Sequence, residues 1–289
     1  MNPKICIVGS ANIDQISYVD TIPSDGETVF GDSYQMGFGG KGANQAVIAG
    51  LLGADVYMIA CLGTDVYNKM TVDNLNNNNV NTDFIQTVNG SSGVAPIWVD
   101  KTGQNRIIVI PGANNLIDAD IAIDSLSNIG PLDVVVGQFE IPLEVNEKVF
   151  EYARNNGVQT VLNPAPAGDV SEKLLNNTSW FIPNEVEFEE MLGEPFNENA
   201  LLKHSKETKP EIIVTLGEKG CAEVSDGKVY IHQAKKVTAI DTTGAGDAFV
   251  GSFAYGLASK MSKQDSIQLA LEKATNSVTK KGTQSSYKD

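Results

Sequence analysis

The 289-residue chain has little histidine and little cysteine, and both shortages limit the chemistry it can perform. Its two histidines, His204 and His232, disfavour a metal site built on paired imidazoles, so acid–base chemistry falls to carboxylates. The three cysteines, Cys6, Cys61 and Cys221, lie far apart and form no C-x-x-C pair. The spacing therefore predicts neither a disulfide framework nor a zinc site, and we expect buried thiols in a reducing compartment.

Basic residues and long apolar runs are also scarce. The 21 Lys and Arg residues against 36 Asp and Glu residues give a net charge of −15, which argues against nucleic-acid or anionic-membrane partners. No stretch reaches the roughly 18 apolar residues of a membrane span, and the first apolar run is too short for a signal peptide. We expect a cytoplasmic protein, made of one large domain or of one domain with an appendage.

Short β-branched runs alternate with segments of helical periodicity along most of the chain. Strands are predicted at Lys4–Gly9, Asp55–Ala60, Asp133–Gly137, Val158–Leu162, Trp180–Ile182 and Glu211–Leu216. Helices are predicted at Leu143–Asn155, Val170–Asn176 and Glu185–Leu192. Because these strands are almost continuously apolar, the pattern predicts an α/β fold with a parallel sheet covered on both faces.

Two regions interrupt this alternation, Gln15–Met36 and Gly93–Pro111. Each contains two strand-like runs separated by turn residues, at Pro23–Gly26 in the first region and at Lys101–Gly103 in the second. They predict four further strands outside the main sheet. Two interpretations remain open: a flap packed on its own domain, and a lid over a substrate that also serves as a dimer contact.

The segment Asp241–Phe249, DTTGAGDAF, follows a strand-like run at Lys236–Ile240 and opens a helix of small residues. Gly-Ala-Gly at a helix start leaves backbone N–H groups unpaired at the positive end of the helix dipole, which favours phosphate binding. Asp247 would repel a phosphate, whereas a carboxylate beside a γ-phosphate can accept the proton of an attacking hydroxyl. The alternative is an acid that merely occupies the first turn.

A second glycine cluster, Gly37–Asn44, reads GFGGKGAN and formally contains G-x-G-x-x-G. It does not follow the first strand directly, and no acid is placed to hold a ribose, so a dinucleotide site is not predicted. Gly42 after Lys41 excludes a Walker A loop. We expect a close backbone approach to a small polar ligand, with Lys41 and Asn44 as donors; a glycine hinge is the alternative.

Three polar residues follow predicted strands at the edge where open α/β sheets bind ligands. Asn12 and Asp14 come after the first strand, and Glu140 follows the strand DVVVGQ. Amide and carboxylate groups suit the hydroxyl groups of a sugar. The alternatives are an Asx turn for the first two residues and a helix-start acid before Pro142 for Glu140.

Three other segments have simple structural interpretations. Asn184 and Glu187 form N-x-x-E, the pattern of a capping box. Thr215–Gly220, TLGEKG, is a passage from strand to turn that admits a nucleotide or forms a hairpin. The run Asn76–Asn79 predicts a polar loop that closes the preceding helix, and we assign it no function.

Taken in order, GSANID, GFGGKGANQA, NPAPA, PNE with its N-x-x-E, TLGEKG, DTTGAGDAF and GTQSS resemble the ribokinase family of sugar kinases, also called the PfkB carbohydrate kinase family. The resemblance implies a Rossmann-like, mostly parallel sheet with helices on both faces and a small β-sheet lid. The large domain would comprise residues 1–14, 37–92 and 112–289, and the discontinuous lid residues 15–36 and 93–111. Family members often form homodimers through these lids.

The resemblance also implies transfer of the γ-phosphate of ATP, bound with Mg²⁺, to the 5-hydroxyl of D-ribose. Asp247 is then the general base, and the backbone of Gly244, Ala245, Gly246 and Asp247 forms the anion hole. The implied sugar-binding positions are Asn12, Asp14, Gly40, Lys41, Asn44, Glu140 and Asp247. The implied nucleotide positions are Asn184, Glu187, Thr215, Gly217, Gly220 and Gly246, with the first two near the phosphates and Mg²⁺ in preference to a purely capping role.

Activation by K⁺ is a further implication of the resemblance. Its ligand positions, mostly main-chain oxygens, are Asp241, Thr243, Ser277, Lys280, Gly282 and Ser286. Two departures from the family pattern bear on nucleotide affinity and on the rigidity of the cation site. Leu271 stands where relatives often have a polar residue near adenine, and the chain ends at Asp289, where relatives usually continue.

Two alternative functions remain open. The first is a kinase for 2-deoxyribose or another furanose, against which Asn12 argues because its amide suits a ribose hydroxyl. The second is a non-catalytic module that senses a sugar or nucleotide, since a fold alone does not establish activity. The intact Asp247 and the glycines beside it disfavour this second alternative.

Overall fold

The computed structural model describes residues 2–288 and contains two β-sheets of different size. In spatial order, the strands of the large sheet are β14 (Lys228–His232), β13 (Cys221–Ser225), β12 (Glu211–Thr215), β11 (Trp180–Phe181), β10 (Gln159–Asn163), β9 (Val134–Gln138), β1 (Lys4–Val8), β4 (Asp55–Gly63) and β5 (Val80–Asn81). A further strand, β6 (Ile85–Val88), also pairs with β4. Strands β12 to β14 pair antiparallel at one edge, and the other pairings are parallel.

Helices cover both faces of the large sheet. They are α1 (Lys41–Leu51), α2 (Val66–Asn77), α3 (Ala119–Ile129), α4 (Leu143–Asn155), α5 (Glu172–Asn176), α6 (Glu185–Leu192), α7 (Glu198–Glu207), α8 (Ala245–Ala258) and α9 (Lys263–Ser277). In β1, Ile5 and Ile7 pack into the core cluster that contains α1 and α8. Cys6 and Val8 point to the opposite face, into the cluster that contains α3 and α4. Burial on both faces explains why the central strands are apolar at every position.

The predicted α/β class with a mostly parallel sheet is confirmed. The predicted strands share most of their residues with β1, β4, β9, β10, β11 and β12. The strand predicted at Lys236–Ile240 is wrong, because this segment has no regular structure. Its last N–H, that of Ile240, donates to the carbonyl of Val278 at the end of α9 at 2.7 Å, not to a strand. The Asn76–Asn79 run is also not wholly a loop, since α2 continues through Asn77.

The small sheet is built from the two regions that interrupt the α/β alternation. Its order is β3 (Gly31–Gly39), β2 (Asn12–Val19), β7 (Gly93–Asp100) and β8 (Asn105–Ile107). Strands β2 and β3 form one antiparallel pair, β7 and β8 form another, and β2 joins the pairs in parallel with β7. None of the helices within residues 2–288 combines the length and the apolar character needed to cross a membrane.

Candidate active site

The carboxylate of Asp247 is the central group of the site. Asp247 is the third residue of α8 and is only 6% exposed. Its Oδ2 accepts a hydrogen bond from Asn44 Nδ2 at 2.8 Å, and its Oδ1 accepts one from Gln45 Nε2 at 3.0 Å. Burial raises the pKa of Asp247, while the charge of Lys41 and the two amide hydrogen bonds act in the opposite direction. Asp247 is therefore more than a first-turn acid, because its side chain faces α1.

A glycine on α8 permits this contact between the two helices. Gly251 lies one turn after Asp247, and a Cβ atom there would be 2.5 Å from the carbonyl oxygen of Gln45. Any side chain at this position would push α1 away from α8. The close packing at Gly251 thus brings the amides of Asn44 and Gln45 within hydrogen-bonding distance of the carboxylate.

The predicted close backbone approach at the second glycine cluster is present, but its partner is the protein itself. Gly40 has a φ of 86°, and a Cβ on it would be 2.7 Å from the Cα of Ala11. A Cβ on Gly42 would be 2.7 Å from the carbonyl carbon of Gly9. The start of α1 therefore lies directly against the segment that follows β1. This contact places Lys41 next to the edge where the strands end.

Lys41 is surrounded by carboxylates. Burial acts to lower the pKa of its ammonium group, but Asp247, Glu140 and Glu187 outweigh burial and raise the pKa above the ordinary value. Lys41 therefore carries a positive charge at neutral pH within an otherwise acidic region. Such a cation suits the stabilisation of anionic oxygens of a ligand.

Glu140 contacts the start of α1, contrary to the interpretation as a helix-start acid before Pro142. Its Oε2 accepts hydrogen bonds from the backbone N–H of Lys41, at 3.0 Å, and from the hydroxyl of Ser10. The N-cap residue Gly40 has no side chain to satisfy the first N–H groups of α1, so Glu140 supplies the acceptor from another part of the chain.

Asn12 and Asp14 lie within β2, not in an Asx turn, and their spacing places both on one face of the strand. The orientation of the Asn12 amide follows from its neighbours. The backbone N–H of Ala11 donates to Asn114 Oδ1 at 3.0 Å, so the Nδ2 of Asn114 is left to donate to Asn12 Oδ1, at 2.7 Å. Because the oxygen of Asn12 accepts from Asn114, its Nδ2 group is left to donate to a ligand.

Gly93 leaves room for this pair of amides. It lies opposite Asn12 in the pairing of β2 with β7, and a Cβ on it would be 2.2 Å from both Asn114 Nδ2 and Asn12 Oδ1. Any other residue at this position would separate the two amides. The donor orientation of Asn12 therefore depends on a glycine that has no functional group.

Asp14 is the second acid of the cluster. Burial, and then the negative charges of Glu140 and Asp247, raise its pKa from 3.8 to about 7. A Cβ on Gly39 of the neighbouring strand would be 2.3 Å from Asp14 Oδ1, so the carboxyl group lies directly over that glycine. Three carboxylates thus lie close enough to influence one another on the side of the site next to the small sheet.

A cleft of about 990 Å³ extends from Lys41 and Asp247 to Leu271 and Val278. Every predicted nucleotide position lines it: Asn184, Glu187, Thr215, Gly217, Gly220 and Gly246. Of the predicted sugar positions, only Lys41 and Asp247 line the cleft. The remaining ones lie outside it, around the segment after β1 and the start of α1, and we call them the polar cluster: Asn12, Asp14, Gly40, Asn44 and Glu140. Lys41 and Asp247 therefore lie at the junction between the polar cluster and the elongated cleft.

The capping box predicted from N-x-x-E is present. Asn184 Oδ1 accepts from the backbone N–H of Glu187, and Glu187 Oε2 accepts from the backbone N–H of Asn184, both at 2.8 Å. Burial raises the pKa of Glu187, against the effects of its hydrogen bond from Asn184 and of the charge of Lys41. The two residues cap α6 and line the cleft at the same time. The second carboxylate oxygen of Glu187 is left for a ligand.

The donor set fits a magnesium ion that arrives with a nucleotide. Within residues 2–288 there is no group of three His, Cys, Asp or Glu side chains able to hold a metal by itself. Mg²⁺ is usually held by one or two carboxylates together with the substrate's phosphates, which the single carboxylate of Glu187 can satisfy.

Asp241 ties the turn before α8 to the carboxyl-terminal segment. Its Oδ1 accepts from the backbone N–H of Thr243 at 3.0 Å, and its Oδ2 accepts from that of Gly282 at 2.9 Å. Burial alone would raise the pKa of Asp241, but these hydrogen bonds lower it below the ordinary value. The hydroxyl of Tyr287 donates to the carbonyl of Gly244 at 2.8 Å. Oxygen atoms of these two segments are ligands of the kind that coordinates hard cations such as K⁺.

Sequence reasoning missed several residues of this site: Ser10, Gln45, Asn114, Gln284 and Tyr287. Gln45 and Gln284 stand within motifs that carried the resemblance, GFGGKGANQA and GTQSS, so the signal was available without a role attached to it. Asn114 has no such signal, because only folding brings it to Ala11 and Asn12.

The raised pKa of Asp14 predicts how the stability of the ligand-free protein changes with pH. Below about pH 4 the carboxyl is protonated in both the folded and the unfolded state, and between about pH 4 and pH 7 only the unfolded state loses the proton. Folding stability therefore falls across this window, and the loss persists above it. Asp14→Asn should match the wild type near pH 4 and melt a few degrees higher near pH 8, as measured by calorimetry.

The exposed Asp20, just after the same strand, supplies the control substitution Asp20→Asn. A difference in melting temperature between wild type and Asp14→Asn that stays constant with pH would contradict the raised pKa.

Comparison with known proteins gives one family. The sequence model described as pfkB family carbohydrate kinase matches residues 2–289. A deoxyribokinase of Salmonella typhimurium is 35% identical, over 98% of this chain and 95% of its own length. A ribokinase of Haemophilus influenzae is 38% identical, over 99% of this chain and 95% of its own length.

Solved structures agree with the sequence matches. The ribokinase of Thermotoga maritima superposes with a TM-score of 0.88 at 34% identity, covering 98% of this chain and 95% of that one. The ribokinase of Arabidopsis thaliana, complexed with ribose and ATP, gives 0.90 at 29% identity, covering 99% and 96%. The family resemblance of the sequence motifs is thereby confirmed: the chain belongs to the pfkB family of carbohydrate kinases.

Proposed function

We propose that the protein is a ribokinase, which transfers the γ-phosphoryl group of ATP to the 5-hydroxyl of D-ribose. One observation carries the proposal: the buried carboxylate of Asp247 lies at the junction between the polar cluster and the elongated cleft. The polar cluster and Lys41 offer amide, carboxylate and ammonium groups of the kind that bind sugar hydroxyls. The cleft contains every predicted nucleotide position. A relative in this family has been solved with ribose and ATP.

In the proposed reaction, Asp247 accepts the proton of the 5-hydroxyl as the hydroxyl oxygen forms a bond to the γ-phosphorus. The bond from that phosphorus to the β–γ bridging oxygen breaks, and ADP leaves with the electron pair. We assign the stabilisation of the charge that develops on the phosphoryl oxygens to the backbone of Gly244, Ala245, Gly246 and Asp247 at the start of α8, where the N–H of Ala245 also donates to the carbonyl of Thr242 at 3.3 Å. The sugar is oriented by the polar cluster and Lys41, that is, by Asn12, Asp14, Gly40, Lys41, Asn44 and Glu140.

Two cations complete the proposal. Mg²⁺, bound with ATP, supplies positive charge at the phosphates, and Glu187 and Asn184 lie beside its expected position. For K⁺ we propose the ligand positions named from the sequence. The proposal is supported by the hydrogen bonds that Asp241 accepts from the backbone N–H groups of Thr243 and Gly282. We also propose a cytoplasmic location, with which the three free, buried cysteines agree.

The activity test removes the proton acceptor. Asp247→Asn keeps the shape of the side chain but cannot act as a base, so kcat for ATP-dependent ribose phosphorylation should fall by about 10²-fold or more. Binding of ribose and of an ATP analogue, followed by calorimetry, should change little.

The wild-type assay with Na⁺ in place of K⁺ tests the proposed cation. An unchanged kcat in Asp247→Asn would sink the assignment, and no phosphorylation of any sugar by the wild type would favour a sensing module.

A kinase for 2-deoxyribose is the second candidate, because a relative named deoxyribokinase matches at 35% identity. The fixed orientation of the Asn12 amide favours ribose. A buried N–H group that has lost its hydroxyl partner costs free energy, so a site built around such a donor discriminates against the sugar that lacks that hydroxyl.

This argument predicts a change in specificity. Asn12→Ala should lower kcat/KM for ribose by about 10- to 100-fold and leave kcat/KM for 2-deoxyribose much less affected, so that the preference between the two sugars shrinks. Asn115→Ala, on the exposed neighbour of Asn114, is the control and should leave both sugars unaffected. If the wild type uses 2-deoxyribose better than ribose, the second candidate replaces the first.

We propose that the small sheet is a lid and that two lids meet in a homodimer. Its strands and their flanks expose large apolar side chains, among them Phe30, Tyr34, Met36, Trp98 and Ile108. A monomer seldom leaves so many apolar side chains together in water, whereas a dimer contact buries them.

Light scattering should therefore give a mass twice the 30.9 kDa of one chain. Replacing Phe30 and Tyr34 with Ser should lower the measured mass toward that of one chain while the far-UV spectrum stays unchanged. A wild type that remains monomeric at about micromolar concentration would refute the dimer.

A further inference from the structure

A line of side-chain amides connects the end of α2 to the carboxylate of Asp247. Asn78 Nδ2 donates to Asn74 Oδ1 at 3.2 Å, and Asn74 Nδ2 donates to Gln284 Oε1 at 2.7 Å. Gln284 Nε2 then donates to Asn44 Oδ1 at 3.0 Å, and Asn44 Nδ2 donates to Asp247 Oδ2 at 2.8 Å. We call these four amides the amide relay: Asn78, Asn74, Gln284 and Asn44.

The hydrogen bonds of the relay all run in one direction, and the Asp247 carboxylate at its end sets that direction. An ionised carboxylate can only accept, so Asn44 must turn its NH₂ group toward Asp247 and its oxygen toward Gln284. Gln284 must then present its NH₂ group to Asn44 and its oxygen to Asn74. Each of the last three amides accepts a hydrogen bond from the preceding amide through its oxygen and donates onward through its N–H, an arrangement that strengthens these bonds.

A shorter line of amides reaches the other carboxylate oxygen. Gln138 Nε2 donates to Gln45 Oε1 at 2.7 Å, and Gln45 Nε2 donates to Asp247 Oδ1 at 3.0 Å and to Asn163 Oδ1 at 3.1 Å. Both oxygens of Asp247 are therefore held by amides whose own orientations are held by further amides. The carboxylate has little freedom to rotate.

Three of the four relay amides are buried, and Asn74 is partly exposed. Asn78 is 1% exposed, and Gln284 and Asn44 are each 5% exposed. Gln284 belongs to the short helical turn Gln284–Tyr287, in the same segment as Gly282 and Ser286 of the proposed cation site. The relay therefore joins two distant parts of the chain, the end of α2 and the carboxyl-terminal segment, to the proposed base.

We propose that Gln284 is a positioning residue for the reaction: through Asn44 it holds the Asp247 carboxylate in the orientation that accepts the proton, and Asn74 in turn holds Gln284. Gln284 bonds to Asn44 and not to Asp247, so it acts only through its neighbour. The inference rests on the role proposed above for Asp247. It also gives a function to the Asn-rich end of α2, for which the sequence offered none.

Two substitutions at Gln284 test the direction of the relay. Gln284→Met keeps the approximate size and removes the hydrogen bonds, and kcat should fall about 10-fold with KM for ATP nearly unchanged. Gln284→Glu is closer in shape but can only accept, so it should turn the Asn44 amide around and lower kcat further. If Glu at this position retains more activity than Met, Gln284 merely fills space and the proposal is wrong.

A substitution at Asn74 tests the relay at a distance from the site. Asn74→Asp cannot donate to Gln284 and should lower kcat about 3- to 10-fold. Asn77→Asp makes the same change in charge at an exposed position on the same helix and should leave kcat unaltered. Asn74→Asp combined with Gln284→Met should be no slower than Gln284→Met alone, because the line is already broken. Equal kcat values for Asn74→Asp and Asn77→Asp would overturn the proposal. So would a double variant whose loss of kcat combines the losses of Asn74→Asp and Gln284→Met.

A measurement without substrate separates this proposal from the proposed function. The titration of the Asp247 carboxyl, followed by ¹³C NMR, should move to higher pH in Gln284→Met, because the hydrogen bond from Asn44 favours the ionised form. The charged and titratable groups that influence Asp247 are Lys41, Asp14, Glu140, Glu187 and Tyr287, and none of them is changed in this variant.

The activity assay and the titration of Asp247 together distinguish a failure of the proposed function from a failure of the amide relay. If the wild type phosphorylates no sugar and the titration still moves, the proposed function fails and the relay stands. If the wild type is active and Gln284→Met changes neither kcat nor the titration, the relay fails and the proposed function stands.

Discussion

The site depends on one constraint, the burial of the Asp247 carboxylate among other acids. Removing a carboxylate from water is costly, and the nearby negative charges of Asp14 and Glu140 add to that cost. The structure offsets it with the ammonium group of Lys41 and with an amide donor on each carboxylate oxygen. Burial raises the pKa of Asp247 above that of an exposed acid, which suits the proposed role of this carboxylate in proton abstraction.

Close contacts that only glycine allows bring these compensating groups together. Gly40 and Gly42 let the start of α1 lie against the segment after β1, and Gly251 lets α8 approach Gln45. Gly93 leaves space for the bond between Asn12 and Asn114. These four glycines contribute no functional group, yet each determines a distance on which a polar contact depends. The glycine cluster Gly37–Asn44 thus serves the packing of the site as well as a ligand.

The acidic composition does not conflict with an anionic substrate. The net charge of −15 belongs to the whole surface, whereas the start of α8 presents backbone N–H groups and Lys41 presents an ammonium group inside the site. Local potential, set by a few groups in a partly desolvated cleft, decides which ligand binds there. The same reasoning explains why the shortage of histidine is no obstacle: the proposed acid–base group is a carboxylate whose pKa is shifted by its surroundings.

The sequence by itself determined the α/β class, the positions of the central strands, the two interruptions that form the small sheet, and the family. These features are local, because hydrophobic periodicity, turn residues and motif spacing depend on neighbours along the chain. It also indicated Asp247 and the capping box of Asn184 and Glu187. It failed at Lys236–Ile240, where an apolar run lies beside the end of α9, not in a sheet.

Only the tertiary structure decided how side-chain amides are oriented and joined. Asn114 reaches Ala11 from about a hundred positions along the chain, and Gln284 reaches Asn44 from more than two hundred. No local pattern predicts such contacts, since they arise when packed helices and strands close long loops. The partners of an amide determine whether it offers a donor or an acceptor. Folding therefore decided the chemistry that Asn12, Asn44 and Asp247 present.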